Sequence, residues 1–362
     1  MLVHICCSVD SHFFLQKLSK LYPEKELIGY FYDPNIHPYS EYKLRLLDVQ
    51  RSCDKLGVKL IEGEYDYEGW IDAVKGLEDE PEKGKRCSVC FDNRLVNTAI
   101  KALKIGETEI TTTLLTSPKK SIEQLRKNAK EIEEKYSVKV FTPDFRKGGG
   151  TSEQFALAKK DMLYHQNYCG CLFALSAQRE SQNRLKDELM SPITRQILPS
   201  SIEERIELYV EVDRCEKHNA KFMLKREKFL NFRLLRAFVK EAKGEVIPSY
   251  FLFYSKLQRV FAKGKITHIK DGIGYFSREE ILFLSLEKFN DIAKTKYKNI
   301  NDMIKKSLHV EDELKVRTAL SSTILPTLSP IVILDDIKTQ KYEIYLNAII
   351  YEDVRENLVK IG

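Results

Sequence analysis

The ten residues Leu2–Ser11, LVHICCSVDS, decide the fold. Leu2, Val3 and Ile5 make a short apolar run of the kind that forms a buried strand. Cys6 and Cys7 end the run, and helical spacing begins soon after. A strand passing at once into a helix predicts the first unit of a parallel α/β sheet.

The same alternation recurs downstream. Candidate strands are Leu2–Cys6, Glu26–Tyr32, Val58–Gly63, Glu109–Leu115 and Val138–Pro143. Helix-like stretches at 11–21, 39–56, 67–76, 90–104 and 121–136 lie between them, and a further one at 154–166 closes the half. The expectation for residues 1–180 is therefore a five-stranded parallel sheet of Rossmann type. Ligands of such sheets gather beyond the carboxyl ends of the strands. Cys6-Cys7, Asp33–Pro38, Thr116–Pro118 and Phe145–Gly150 are expected to meet there. Residues 181–200 read as a polar connector with Pro192 and Pro199. Beyond it, 201–243 reads as helical and basic, while Ile281–Leu286, Ile331–Leu334 and Tyr342–Ile350 read as strands. A mixed α+β domain is expected over 201–362.

A chain of 362 residues suffices for about two domains with separate cores. No apolar run reaches the roughly 20 residues of a membrane span, and MLVHICCSVDSHF lacks the features of a secretion signal. A cytoplasmic protein is expected. Its 8 cysteines are too sparse for a disulfide scaffold. Residues 1–180 hold 27 basic and 27 acidic side chains, so the net charge of +6 belongs wholly to 181–362. A nucleic-acid partner is compatible with that surplus without being required by it.

The cysteines matter by their pairing. Cys6-Cys7, Cys87/Cys90 and Cys169/Cys171 all lie in the α/β half. Thiolates are soft ligands for zinc or iron–sulfur clusters. Either a zinc ion or a [4Fe–4S] cluster takes four, so six leave a surplus. That surplus points to a second metal, or to a cluster with an open iron and free thiolates. Asp10, three residues after Cys7, is either a helix cap or a hard oxygen ligand for a mononuclear iron with an open position. Cys53 and Cys215 are isolated and read as buried thiols, and Cys215/His218 as incidental. Tyr164-His165-Gln166-Asn167-Tyr168 precedes Cys169 and reads as a site wall. Lys147–Gly150 reads as a turn.

The first loop resembles that of the ATP pyrophosphatases, which carry Ser-Gly-Gly-x-Asp-Ser where this chain has Cys6-Cys7-Ser8-Val9-Asp10-Ser11. The likeness implies a related, HUP-like fold. Cys7 and Ser8 in place of the phosphate-cradling glycines argue against ATP, and no other nucleotide motif is present, so no nucleotide cofactor is expected.

In order, HICCSVD (4–10), DPNIHPYSEY (33–42), KRCSVCFDNRL (85–95), TTTLLTSPKK (111–120), FRKGGG (145–150) and YHQNYCGC (164–171) closely resemble the QueH-type epoxyqueuosine reductases over about residues 1–176. The resemblance implies reductive removal of the epoxide oxygen of epoxyqueuosine at the tRNA wobble position, giving queuosine. It also implies a [4Fe–4S] cluster beside a mononuclear iron, held by the six cysteines and Asp10. An electron donor is needed, and the sequence does not name it. Tyr164 and His37 are candidate proton donors. The resemblance further implies that Asn35, Tyr39, Arg146, Gln166, Asn167 and Tyr168 line the pocket for the modified base. Three positions depart from common family usage: Asp33 where Asn is common, His165 where Arg is common, and Asp10 where some relatives have cysteine. Residues beyond 180 extend past the compact form of the family, and tRNA contact there is suggested by its charge and by Phe222, Phe229, Phe232, Tyr250 and Phe251. Two other readings are an iron–sulfur-dependent tRNA thiolation enzyme and a non-catalytic, zinc-stabilised RNA-binding protein.

Overall fold

The computed structural model describes residues 1–118, 120–191, 197–252, 257–278, 280–306, 308–321 and 329–361. Two compact units result: Met1–Lys186 with Arg205–Leu224 and Lys360–Gly362, and Asp187–Glu204 with Lys225–Val359.

The first unit is built on strands β1 (Leu2–Ile5), β2 (Ile28–Phe31), β3 (Lys59–Glu62), β4 (Glu109–Thr112) and β5 (Lys139–Val140). All neighbours pair in parallel, in the order β3-β2-β1-β4-β5. This is the Rossmann-type arrangement expected. β1 is central and wholly buried, and its alternation assigns the two faces. Val3 and Ile5 enter one core with Phe14, Leu15 and Leu18 of helix α1 (Ser8–Leu21) and with Val49 and Cys53 of α2 (Tyr39–Leu56). Leu2 enters the other with Leu95, Ala99 and Ala102 of α4 (Lys85–Lys104) and Ala129 and Ile132 of α5 (Ile122–Tyr136). The short α3 (Tyr67–Ala73) precedes α4. Helices α6 (Gly150–Lys160) and α7 (Leu172–Ser181) flank the last cysteine pair. Each fully buried Val, Leu or Phe contributes about 1.5–3 kcal/mol, so β1 is the best-anchored element beneath the site.

α8 (Ile202–Lys217) falls inside the stretch expected to form the second domain. Its residues from Arg205 onward belong to the first unit. Tyr209 packs edge-on against Tyr164 at 5.5 Å, and Glu216 pairs with Arg51 at 2.7 Å. Pro192 of the expected connector lies outside the described residues.

The second unit is an eight-stranded sheet, β7-β6-β13-β9-β10-β11-β12-β8. Its strands are β6 (Phe222–Glu241), β7 (Val246–Ile247), β8 (Tyr250–Leu252), β9 (Arg259–Lys270), β10 (Ile273–Phe276), β11 (Leu282–Ser285), β12 (Ile331–Leu334) and β13 (Lys341–Lys360). Helices α9 (Leu286–Ala293), α10 (Ile300–Lys305) and α11 (Val310–Leu320) supply Phe289, Ile300, Met303 and Val316 to a core with β8, β11 and β12. The expected helical section 201–243 is corrected here. Helix stops at Lys217, and 222–241 is a long strand beside β13. The charged run Lys225–Lys228 has helix-like composition, but cross-strand pairing overrides local preference.

Candidate metal and substrate site

α1 begins at Ser8, three residues earlier than expected, with Cys7 as its N-cap residue. Asp10 therefore stands in the first helical turn and is not the cap. The Sγ of Cys6 lies 3.8 Å from that of Cys7 and 3.9 Å from Oδ2 of Asp10. The ligand atoms of Cys6, Cys7 and Asp10 all fall within 4.8 Å of one another. Gln154 of α6 donates to Oδ1 of Asp10 at 2.6 Å, leaving Oδ2 toward Cys6. Burial pushes the Asp10 carboxyl up to about 6, against the hydrogen bonds from Cys7 and Gln154.

The other two pairs belong together. Cys90 and Cys171 are buried in one cluster with Trp70, and Cys169 packs against it. Cys87, on the first turn of α4, accepts the Lys83 N–H at 3.2 Å. A hydrogen bond from Cys171 holds the Cys169 thiol well below its usual range, helped by the charges of Lys120 and Arg45. That same bond, with burial, pushes Cys171 up. Lys120 feels Cys169, Cys87 and Cys90. Lys120 thus feels three thiols, and a second group holds two thiols and a carboxylate; these are donor types that suit thiolate-bound iron and an oxygen-ligated second metal. The residues fit the implied metals.

A cavity of about 270 Å³ joins the two groups. Cys6, Asp10 and Cys169 share its wall with Arg45, Arg94 and Lys120. Pro118, Phe155 and Leu114 give it an apolar side, and His165, Gln166, Asn167 and Tyr168 a polar one. The segments expected at the sheet edge do converge. Thr116 Oγ1 donates to the Asp10 carbonyl at 3.4 Å, Arg146 Nε to the Leu115 carbonyl at 2.7 Å, and the His37 N–H to the Gly170 carbonyl at 2.9 Å. Gly170 needs to be glycine: its φ is +102°, and a Cβ would lie 2.8 Å from the Ile36 side chain.

The remaining candidates sit elsewhere. Tyr164 is buried and donates to Glu41 Oε2 at 2.9 Å; it does not line this cavity. His37 stacks on Tyr67 at 5.0 Å, and its carbonyl accepts the Tyr168 hydroxyl at 2.7 Å. Asn35 is buried, with Oδ1 lacking a hydrogen-bond partner. Tyr39 is 47% exposed and stacks on Tyr42 at 5.6 Å. Arg146 braces the loop after β4, its Nη1 donating to the Lys120 carbonyl at 2.9 Å. Asp33 forms a buried ion pair with Arg94. His165 is exposed on the cavity rim, 5.6 Å from the Phe155 ring.

Sequence reasoning missed Arg45, Arg94, Lys120 and Gln154. Arg45 ties the last cysteine loop to α2. It donates to Glu41 at 2.8 Å, to the Tyr168 carbonyl at 2.9 Å and to the Cys169 carbonyl at 3.3 Å. The i,i+4 spacing of Glu41 and Arg45 signalled a pair, though not its target.

The family model described as "Epoxyqueuosine reductase QueH" matches residues 1–177. An epoxyqueuosine reductase QueH of Helicobacter pylori is 41% identical over 357 residues, 94% of this chain and 95% of that protein. The chain belongs to the epoxyqueuosine reductase QueH family. This is the family of the queuosine-pathway reductase, an oxidoreductase of tRNA modification, as the motifs implied. The QueH of Thermotoga maritima is 39% identical over 183 residues, covering 50% of this chain and 92% of its own. The second unit is thus an extension that the Helicobacter protein shares and the compact Thermotoga protein lacks. A solved structure, the U34-tRNA thiolase NcsA from Methanococcus maripaludis with its [4Fe-4S] cluster, covers 59% of this chain and 72% of its own at 16% identity, with a TM-score of 0.32. Among the described residues, no helix is long and apolar enough to cross a membrane.

Proposed function

We propose that this QueH protein reduces epoxyqueuosine to queuosine at the tRNA wobble position, in the cytoplasm, with a [4Fe–4S] cluster and an adjacent iron. The observation that carries this reading is one cavity wall shared by Cys6, Asp10 and Cys169. It sets the Cys6-Cys7-Asp10 group beside the loop of the other two cysteine pairs. Overall, the epoxide takes two electrons and two protons and releases its oxygen as water, leaving an alkene.

Cys87, Cys90, Cys169 and Cys171 would hold the cluster, and Cys6, Cys7 and Asp10 the second iron. Bound there, the metals supply single electrons and a Lewis acid for the epoxide oxygen. The chain's own residues do the rest. Gln154 fixes one Asp10 oxygen, so the other is presented toward Cys6. Lys120, Arg45 and Arg94 offset the thiolate charge. Gln166 and Asn167 are placed to hydrogen-bond the modified base, and Phe155 and Pro118 to exclude water from its cyclopentane ring. Lys120 and His165 carry N–H groups on the cavity wall and are our proton-donor assignment. Tyr164 and His37 act through Glu41 and the Gly170 loop, as positioning residues.

Nucleoside analysis of tRNA from a deletion strain tests the activity. Accumulated epoxyqueuosine with queuosine lost is expected, and unchanged queuosine in a strain with no second reductase refutes it. Anaerobically purified protein with zinc, no iron and no visible absorption would favour the non-catalytic RNA-binding reading instead.

A further inference from the structure

The outward face of the second unit's sheet is not the surface of a simple solvated domain. Along β9, Val260, Ala262 and Ile266 are buried while Arg259, Phe261, Lys263 and Lys265 are exposed. Along β13, Tyr342, Ile344 and Leu346 are buried, so Lys341, Glu343 and Tyr345 share that outward face. The register sets Tyr345 opposite Phe261, Glu343 opposite Lys263 and Lys341 opposite Lys265. On β6, Phe238 stacks on Tyr345 with centroids 5.1 Å apart and planes 15° from parallel. An aromatic strip, Phe238–Tyr345–Phe261, therefore crosses three strands. Arg236 lies 5.4 Å and 5.7 Å from the Phe238 and Tyr345 rings. Phe261 is 66% exposed, and Tyr275 on β10 is 44% exposed.

Beside the strip is a cavity of about 390 Å³, lined by Lys263, Lys265, Arg278 and Lys341 with Glu241 and Glu343. Lys263 is neutralised by Glu343 at 2.7 Å. Among the described residues, no carboxylate pairs with Lys265, Arg278 or Lys341. Lys265 and Lys341 are direct cross-strand partners, and like charges so placed repel. An anion in the cavity removes that repulsion.

We propose that this face binds a single-stranded stretch of the tRNA substrate, with phosphates on Lys265, Arg278 and Lys341 and unstacked bases on Phe261 and Tyr345. The proposal rests on the reductase reading for the identity of the RNA. Lysine is depleted at protein–protein interfaces, so a lysine-rich rim around aromatics fits a nucleic acid better than a protein. Stacking within a duplex hides base faces, so exposed rings select unpaired, unstacked nucleotides. None of the five aromatics suggested by the sequence belongs to this strip. Phe232, Tyr250 and Phe251 are buried, and Phe222 and Phe229 lie elsewhere along β6.

The test is tRNA binding by the whole protein over a salt series, with two variants on exposed positions. Lys265→Gln/Arg278→Gln/Lys341→Gln should bind about tenfold more weakly near physiological salt. Its log K against log salt slope should fall by about 2, for three phosphates at roughly 0.7 each. Phe261→Ala should bind at least about fivefold more weakly with the slope unchanged. A short single-stranded RNA oligonucleotide should compete with tRNA for the parent and fail to do so for Phe261→Ala. Circular dichroism identical to the parent shows that each variant is folded. Affinity and slope equal to the parent's in both variants overturn the proposal and leave the face to a protein partner. Queuosine formation by the parent is scored separately. If the parent makes queuosine while both variants bind normally, only this assignment falls; if it makes none with any reductant, the reductase reading falls instead.

Discussion

Arg45→Met tests how the last cysteine loop is held. Arg45 is 2% exposed and Glu41 is fully buried, so both charges depend on each other. Methionine preserves most of the unbranched stem, and the loss is chiefly electrostatic. A buried carboxylate deprived of its partner costs about 3–5 kcal/mol. The Tyr164 hydroxyl continues to donate to Glu41 and offsets part of that cost. Against this, the Tyr168 and Cys169 carbonyls lose a charged donor, and each buried carbonyl left unmet costs about 1–3 kcal/mol. The expected loss is at least about 3–5 kcal/mol. Trp70 is the only tryptophan and packs beside Cys90 and Cys171, so its fluorescence reports this unit. In reduced, metal-free protein the urea midpoint should fall by about 2 M, for a slope near 2 kcal/mol per M. Adding Glu41→Gln should recover about 1–2 kcal/mol, because no carboxylate is then stranded. A single variant within 1 kcal/mol of the parent, or a double variant no better than the single, refutes the reasoning.

Gly170→Ala should cost about 1–3 kcal/mol, from the positive φ and the Ile36 contact, and should lower iron retention after gel filtration. Cys90→Ser should abolish the visible iron–sulfur absorption, whereas Cys53→Ala, in the α1–α2 core, should keep it while losing about 1 kcal/mol. Gln154→Leu should loosen Asp10 and reduce the iron-to-sulfide ratio by metal analysis; an unchanged ratio with full activity would remove Gln154 from the site.

The parallel sheet was legible because burial on both faces makes its central strand a short, largely apolar run: β1 is buried throughout, with His4 its one polar residue. The same signal fails for β6. Its residues 222–230 alternate little and include four consecutive charges, all exposed, so nothing local distinguishes the strand from a solvated helix. The cysteine pairs were legible by spacing alone. Arg45, Lys120 and Gln154 were not, because they lie 39, 114 and 148 residues from Cys6, and only the sheet topology brings them to its edge. Of the two candidate proton donors, Tyr164 donates its hydroxyl to Glu41, whereas His37 meets the last cysteine loop through its backbone, its N–H donating to the Gly170 carbonyl and its carbonyl accepting the Tyr168 hydroxyl.

The first loop explains why one fold edge suits two kinds of anion. In the ATP-pyrophosphatase pattern, glycines let the backbone approach a phosphate at the start of the first helix. Here Cys7 and Ser8 occupy those positions, and Cys7 caps the helix without a side-chain hydrogen bond to it. The positive end of α1 remains, and it acts against the Cys6 hydrogen bond, burial and the Asp10 charge, which push the Cys7 thiol up. Arg45, Arg94 and Lys120 add to it around the same cavity. A field suited to phosphate is equally suited to sulfur ligands and to the negatively charged metal group proposed for them. Cys7 and Ser8 in place of the two glycines would then exchange one anion for another without rebuilding the electrostatics of the edge. Lys120→Met should lower metal retention although Lys120 is none of the proposed ligands, and Lys120→Arg should restore it. Equal iron content in the parent, Lys120→Met and Lys120→Arg proteins would show that the field is dispensable and that the thiols alone assemble the site.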